Sequence, residues 1–109
     1  MARKKISKKV NDAVRRYVHL LADDHLPIEQ AFLFGSTVKG TARPDSDIDV
    51  AIISNNLSHS FASTKYLLKK AHELGFTDII IEPHGFHPTE FTDASPLAYE
   101  IKRTGIRIE

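Results

Sequence analysis

Two aspartates separated by a single residue begin the apolar run that ends at Ile53. In a β-strand, side chains two positions apart point to the same face, so Asp47 and Asp49 would lie together, about 6.6 Å apart along the chain. Paired carboxylates repel each other, and a hard divalent cation between them relieves that repulsion. Mg²⁺ takes oxygen ligands and keeps positions for substrate phosphates. The pair therefore predicts a Mg²⁺ site, with Mn²⁺ as an alternative ion.

A third carboxylate from a neighbouring strand would complete such a site. The predicted strand that ends at residue 82 offers Asp78 and Glu82, which share a face because they are four positions apart. Alternation alone does not choose between them. Two metal ions about 3.5–4 Å apart, bridged by acids of this kind, can activate an attacking hydroxyl and stabilise a leaving pyrophosphate. The acids thus predict transfer of a phosphoryl-type group.

A Gly-Ser turn precedes the aspartates by ten residues. Gly35 lets the backbone turn sharply and approach a ligand, and Ser36 adds a hydroxyl and an amide at the predicted start of a short helix, where phosphate binds well. Lys39 and Arg43, in the same turn region, could pair with phosphate oxygens. Gly-Ser and Asp-Ser-Asp are each common in turns without a catalytic role. Their combination at this spacing, between two apolar runs, predicts a nucleotide-binding site.

The remaining pattern predicts the elements that position these residues. Helical periodicity, capping residues and short apolar runs alternate along the chain. The predicted elements are a helix at residues 7–24, strands at 31–34 and 48–53, a helix at 60–74, a strand at 78–82 that Pro83 stops, a helix at 96–103 and a short strand at 106–108. This alternation predicts an α/β domain in which helices cover a small mixed sheet. His84 and His87 then fall in an irregular loop and are interpreted as surface residues near a cleft, with contact of either one to substrate or metal as the lesser alternative.

The composition is that of an ordinary soluble domain. Hydrophobic residues make up 41% and charged residues 27% of 109 residues, which predicts one domain with one core across residues 1–109. Because there is no cysteine, disulfides and thiolate metal sites are excluded. No apolar run approaches the roughly 20 residues that span a bilayer, and no apolar segment follows the basic start as in a secretory signal. We therefore expect no membrane association and a cytoplasmic location.

Basic charge is concentrated at the start of the sequence. Residues 1–16 contain seven Lys or Arg and one Asp, whereas the remainder contains eight basic and 13 acidic residues. A segment of this kind can bind nucleic acid, so RNA binding is one hypothesis. The simpler interpretation is a solvated helix face.

Two segments around the Gly-Ser turn and the aspartates carry a resemblance to a known family. They are FGSTVKG at residues 34–40 and RPDSDIDV at residues 43–50. Together they resemble the signature of the polymerase-β-type nucleotidyltransferases, especially the minimal single-domain members, and the likeness continues through IEPH at residues 81–84 and through residues 96–106. The resemblance implies a polymerase-β-like fold, Asp47 and Asp49 as metal ligands, and contacts of Gly35 and Ser36 with a triphosphate.

The resemblance also bears on the third carboxylate and on partners. In the family the third ligand is an acid flanked by apolar residues on the next strand, and Glu82 matches that position better than Asp78. Larger members add a second domain that grips the base and the acceptor, for which this sequence has no room. Minimal members are often paired with a small helical subunit, and in toxin–antitoxin systems the transferase acts as the antitoxin by adding AMP to its partner. The resemblance therefore implies a small helical partner protein.

The sequence as a whole predicts a Mg²⁺-dependent enzyme with Asp47, Asp49 and Glu82 as catalytic residues. It would move a nucleoside monophosphate, AMP from ATP or its equivalent from another nucleoside triphosphate, to a hydroxyl of a protein or small molecule. The alternative, from a different class, is a non-catalytic module that binds nucleotide or masks a partner. The base preference, the acceptor and any homo-oligomeric state stay open at this point.

Overall fold

The computed structural model describes residues 6–40 and 47–109, which contain four helices and four strands. In chain order these are α1 (Lys8–Asp23), β1 (Gln30–Phe34), α2 (Ser36–Lys39), β2 (Ile48–Ile53), α3 (Phe61–Glu73), β3 (Ile81–Phe86), α4 (Pro96–Thr104) and β4 (Ile106–Arg107). None of the described helices is long and apolar enough to cross a membrane.

Serine residues cap the three longer helices. The hydroxyls of Ser7, Ser60 and Ser95 each accept a hydrogen bond from a backbone N–H in the first turn of α1, α3 and α4. Such a cap satisfies an N–H group that has no partner within the helix. Pro96 occupies the first position of α4, where its missing N–H costs nothing. These local signals explain why the predicted helix starts are confirmed to within a residue.

The strands form one mixed sheet in the order β3-β2-β1-β4. β1 pairs antiparallel with both β2 and β4, whereas β2 pairs parallel with β3. A parallel pair needs a crossover connection, which α3 supplies between β2 and β3. The predicted small mixed sheet covered by helices is thus confirmed.

The predicted bounds of the third strand are wrong. β3 starts at Ile81 rather than Asp78 and runs through Pro83 to Phe86. Proline has no backbone N–H to donate to a neighbouring strand, so it is tolerated mainly on edge strands. Among the described strands, β3 pairs only with β2 and is an edge strand. Two consequences matter for function: Asp78 precedes the strand, and His84 lies inside it.

The two faces of the sheet are covered by different helices. On one face Ile48, Val50 and Ile52 of β2 lie in a buried cluster with side chains of α1 and α3. On the other face Ala51 and Ile53 lie in a second buried cluster with side chains of α4. The core is therefore split by the sheet, and because side chains alternate along β2, Asp49 belongs to the face that α4 covers.

Tyr17 links α1 to α3 through a buried hydrogen bond. Its side chain is fully buried, and its hydroxyl donates to the carbonyl oxygen of Leu67 at 2.7 Å. Burial raises the pKa of Tyr17 well above its ordinary value, so the hydroxyl stays protonated and able to donate.

Replacing Tyr17 with Phe is expected to lower the free energy of unfolding by about 1 kcal/mol, the net contribution of one such hydrogen bond. Urea denaturation would measure the change. The matched control is Tyr99→Phe on α4, where the side chain is 49% exposed and the substitution should leave stability unchanged. Equal midpoints for the Tyr17→Phe and Tyr99→Phe proteins would show that the hydrogen bond contributes nothing net.

Candidate active site

Two carboxylates predicted as metal ligands meet across β2 and β3. Asp49 and Glu82 are register partners in the parallel pair, so both side chains leave the sheet on the α4 face at the beginning of their strands. Together with His84 they form a cluster in which one ligand atom of each residue lies within 4.8 Å of the others. The sheet thus brings together two carboxylates that lie in separate segments of the sequence, and local patterns alone could not show that these segments are neighbours.

His84 belongs to this cluster, although the sequence predicted it in an irregular loop and favoured a surface position near the cleft. Its Nε2 lies 3.1 Å from Asp49 Oδ1 and 3.9 Å from Glu82 Oε1. The predicted end of the strand at Pro83 placed His84 in a loop, whereas its position two residues after Glu82 in β3 puts it on the same face. In an edge strand that runs through Pro83, alternation alone places Glu82 and His84 on the same face.

Asp78, the alternative to Glu82, lies elsewhere. Its carboxylate accepts a hydrogen bond from the Lys9 ammonium on α1, and this contact lowers the pKa of Asp78 below its ordinary value. Asp78 was a candidate ligand because it would share a strand face with Glu82. Residues 77–80 lie outside any strand, so the alternation of side chains along β3 does not include Asp78. Asp78 therefore takes part in holding the chain before β3 against α1.

Asp47 sits at the edge of the described residues. It directly precedes β2, is exposed, and is not one of the three residues of the cluster. Residues 41–46, which include the predicted phosphate-binding Arg43, lie outside the described residues.

The Gly-Ser turn lies directly beside Asp49. β1 ends at Phe34, the register partner of Asp49, and Gly35 follows with a φ of 83° before α2 begins at Ser36. A Cβ atom placed on Gly35 would stand 2.3 Å from Asp49 Oδ2, far inside van der Waals contact. The backbone of the predicted phosphate-binding turn and the carboxylate of the predicted metal ligand thus touch, and only glycine permits this approach.

Lys39, at the end of α2, is engaged by α4. Its ammonium lies 3.1 Å from Glu100 Oε2, and this hydrogen bond lowers the pKa of Glu100. Both side chains remain substantially exposed, so the pair is weak and exchangeable. Lys39 is therefore near the turn but held by a carboxylate that a phosphate would have to displace.

The basic start of the chain is partly neutralised by acids of its own. Residues 1–5 lie outside the described residues, while Lys8 pairs with Asp12 at 2.8 Å and Lys9 pairs with Asp78. The hydrogen bond from Lys8 to Asp12 raises the pKa of Lys8. This part of α1 therefore presents compensated rather than isolated positive charge.

The donor set of the cluster suits a divalent cation. Asp49 is 25% exposed and Glu82 is 50% exposed, so the carboxylates are partly shielded yet reachable from solvent. Carboxylate oxygens are the ligands that Mg²⁺ and Mn²⁺ prefer. Acids of this kind beside a glycine turn could hold a metal ion next to a triphosphate, as transfer of phosphorus-containing groups requires.

Comparison with known proteins identifies the family. The profile described as polymerase beta, nucleotidyltransferase matches residues 18–108. The chain therefore belongs to the polymerase beta nucleotidyltransferase family and is a nucleotidyltransferase, an enzyme that transfers a nucleoside monophosphate. A search of curated proteins finds no significant match.

Three solved structures of similar fold are described as toxin–antitoxin structures. One is a toxin–antitoxin complex with AMP-PNP, with a TM-score of 0.62 and 20% identity over 91% of this chain and 72% of that chain. Another is a mutant of the toxin–antitoxin pair MntA–HpeT, with a TM-score of 0.60 and 19% identity over 87% of this chain and 71% of that chain. A third is the tri-AMPylated Shewanella oneidensis HEPN toxin in complex with the MNT antitoxin, with a TM-score of 0.58 and 17% identity over 94% of this chain and 72% of that chain. At these identities the likeness shows a shared fold, and the predicted polymerase-β-like fold is confirmed.

Proposed function

We propose that this chain transfers AMP from ATP, with Mg²⁺ bound at Asp47, Asp49 and Glu82, to a hydroxyl of an acceptor, and that the acceptor is a small helical partner protein. The observation that carries the proposal is the convergence of Asp49 and Glu82 beside Gly35 in a chain of the nucleotidyltransferase family. The metal would neutralise charge on the triphosphate and polarise its phosphorus centre.

The residues around the cluster fit the parts that such a transfer needs. The attacking hydroxyl oxygen forms a bond to the α-phosphorus, the bond from that phosphorus to the oxygen bridging to the β-phosphate breaks, and pyrophosphate leaves. Gly35 allows the backbone to approach the triphosphate, and the Ser36 hydroxyl follows it. Lys39 would exchange Glu100 for a phosphate oxygen. Glu82 is the more exposed of the two carboxylates in the cluster, and it would accept the proton that the acceptor hydroxyl loses.

The choice of AMP and of a protein acceptor is supported by structures of the same fold. One of them contains AMP-PNP, an ATP analogue, and another contains an AMPylated toxin in complex with its antitoxin. By analogy, this chain would be the antitoxin that modifies its partner. A cytoplasmic location and a single domain over residues 1–109 are part of the same proposal.

The experiment combines nucleotide transfer with a matched pair of variants. The purified chain, alone and with the protein that co-purifies from its native host, is incubated with Mg²⁺ and each of four α-³²P-labelled nucleoside triphosphates. We expect label from ATP to appear on the partner protein. Glu82→Gln should lower the rate by at least about a hundredfold, roughly 2.7 kcal/mol of lost transition-state stabilisation. Asp78→Asn should leave the rate within about threefold, since Asp78 serves only an exposed pair with Lys9.

Each outcome decides a separate part of the proposal. Label on a small molecule would keep the transferase and replace the acceptor, and label from another triphosphate would replace ATP. Loss of transfer in Asp78→Asn but not in Glu82→Gln would assign the third carboxylate to Asp78. Absence of transfer from all four triphosphates, with the chain folded and the partner bound, would refute the enzymatic proposal in favour of a masking module.

A further inference from the structure

The imidazole of His84 is held in one orientation within the carboxylate cluster. Its side chain is 22% exposed and packs edge-on against the Phe34 ring, with the two ring centroids 5.1 Å apart and the ring planes at 63°. This packing directs Nε2 towards Asp49 and Glu82 rather than towards solvent. A nitrogen donor is therefore built into the site at a fixed position.

The distances fit ligands of one metal ion. Ligands at right angles and about 2.1 Å from a metal are about 3 Å from each other. The separation of 3.1 Å between His84 Nε2 and Asp49 Oδ1 has this value, and Glu82 Oε1 at 3.9 Å needs only a small side-chain movement to join them. The register of β2 and β3 places Glu82 on the same side of the ring, so a third ligand is available to the same ion.

From this geometry we propose that His84 Nε2 is a direct ligand of the divalent metal and makes the same site bind Mn²⁺ more tightly than Mg²⁺. Nε2 binds the metal without its proton, which moves to Nδ1 or to solvent when the metal enters. Mn²⁺ takes carboxylate oxygens as Mg²⁺ does, but as a first-row transition metal it also gains from an imidazole nitrogen, whereas Mg²⁺ gains little from nitrogen. The proposal rests on the metal site of the proposed function and adds a ligand that neither the spacing of the aspartates nor the family assignment supplies.

The test measures binding of Mn²⁺ and Mg²⁺ to the full chain without nucleotide. Mn²⁺ binding is followed by electron paramagnetic resonance, and Mg²⁺ binding is measured by competition against Mn²⁺. The variant is His84→Gln, whose amide can still donate to Asp49 but has no imidazole nitrogen. Since loss of a group that merely orients a ligand lowers metal affinity about 10- to 100-fold, loss of a ligand should weaken Mn²⁺ binding at least about tenfold. Mg²⁺ affinity should change less than about threefold.

A spectroscopic signature and a second histidine complete the design. Pulsed electron paramagnetic resonance of bound Mn²⁺ should show coupling to a nitrogen nucleus in the wild type and in His87→Gln, and no such coupling in His84→Gln. His87 is the matched control because it follows the same strand but its ring Nδ1 contacts Thr89. Thermal unfolding of each variant verifies that it is folded.

Three results would overturn the proposal. Bound Mn²⁺ without nitrogen coupling in the wild type would exclude ligation by His84. An equal loss of Mg²⁺ and Mn²⁺ affinity in His84→Gln would assign His84 to positioning Asp49, and the proposed function would stand. Absence of Mn²⁺ binding to the wild type would exclude a site that His84 completes in the free chain, and the proposed function, in which the triphosphate supplies further ligands, would stand.

Discussion

Replacing Asp49 by Asn is expected to reduce nucleotide transfer by about a thousandfold or more while leaving the protein folded. Asp49 is the central member of the cluster, because it is the register partner of Glu82, contacts His84 and touches Gly35. Loss of its charge removes a metal ligand and the transition-state stabilisation that this ligand provides. A thousandfold loss of rate corresponds to about 4 kcal/mol of activation free energy. Asn has the same shape and can keep the contact with His84, so stability should change little.

Single-turnover kinetics with labelled ATP would measure the loss. The control is Asp12→Asn, an exposed carboxylate on α1 paired with Lys8, which should keep full activity. Asp47→Asn belongs in the same series, because the sequence predicts it as a second ligand and its position just before β2 adjoins the cluster. An Asp49→Asn protein with more than a tenth of wild-type activity would exclude Asp49 as a metal ligand.

The same variant separates the enzyme from the non-catalytic alternative. If this chain neutralises its partner by modifying it, Asp49→Asn should bind the partner but fail to neutralise it. Equal neutralisation by the wild type and by Asp49→Asn would show that the chain neutralises its partner by masking it, and that nucleotide transfer is not needed for this effect.

Replacing Gly35 by Ala is expected to lower both stability and transfer. Gly35 has φ 83° and ψ −152°, a backbone conformation that is essentially restricted to glycine and costs other residues about 1–3 kcal/mol. In addition, the new methyl group would stand 2.3 Å from Asp49 Oδ2 and 3.2 Å from its Cγ. Asp49 or the turn must move, so the carboxylate and the proposed phosphate-binding backbone lose their alignment. We expect a rate reduction of at least about a hundredfold, as small misplacements of reacting groups cause.

Gly75 offers a matched control for the backbone effect alone. It also has a positive φ, of 70°, but nothing lies within 4 Å of a Cβ atom placed there. Gly75→Ala should therefore lose about 1–2 kcal/mol of stability from the left-handed conformation and keep its transfer rate. Urea denaturation and rates per folded molecule would separate the two effects. Transfer by Gly35→Ala within about threefold of Gly75→Ala would mean that the contact with Asp49 has no role in the reaction.

The sequence alone determined the elements whose signals are local. Ser7 and Ser95 mark helix starts through a hydrogen bond from a residue three positions ahead, and Pro96 occupies the first position of the last helix by its own backbone preference. The Gly-Ser turn and the two aspartates are likewise recognisable in one stretch of chain. For these features the determining interactions lie within a few residues, so they can be read without knowledge of the fold.

The tertiary structure alone decided which distant residues meet. Pro83 is acceptable in β3 because, among the strands of residues 6–40 and 47–109, β3 pairs with β2 alone, and this depends on the order of strands in the sheet. The parallel register of β2 and β3 brings Glu82 and His84 to Asp49, whereas Asp78 precedes β3 and lies beside α1. Periodicity states which residues share a face of one strand, but not which strands are neighbours or where each begins. The composition of the cluster is a consequence of pairing between segments about 30 residues apart, which no local preference encodes.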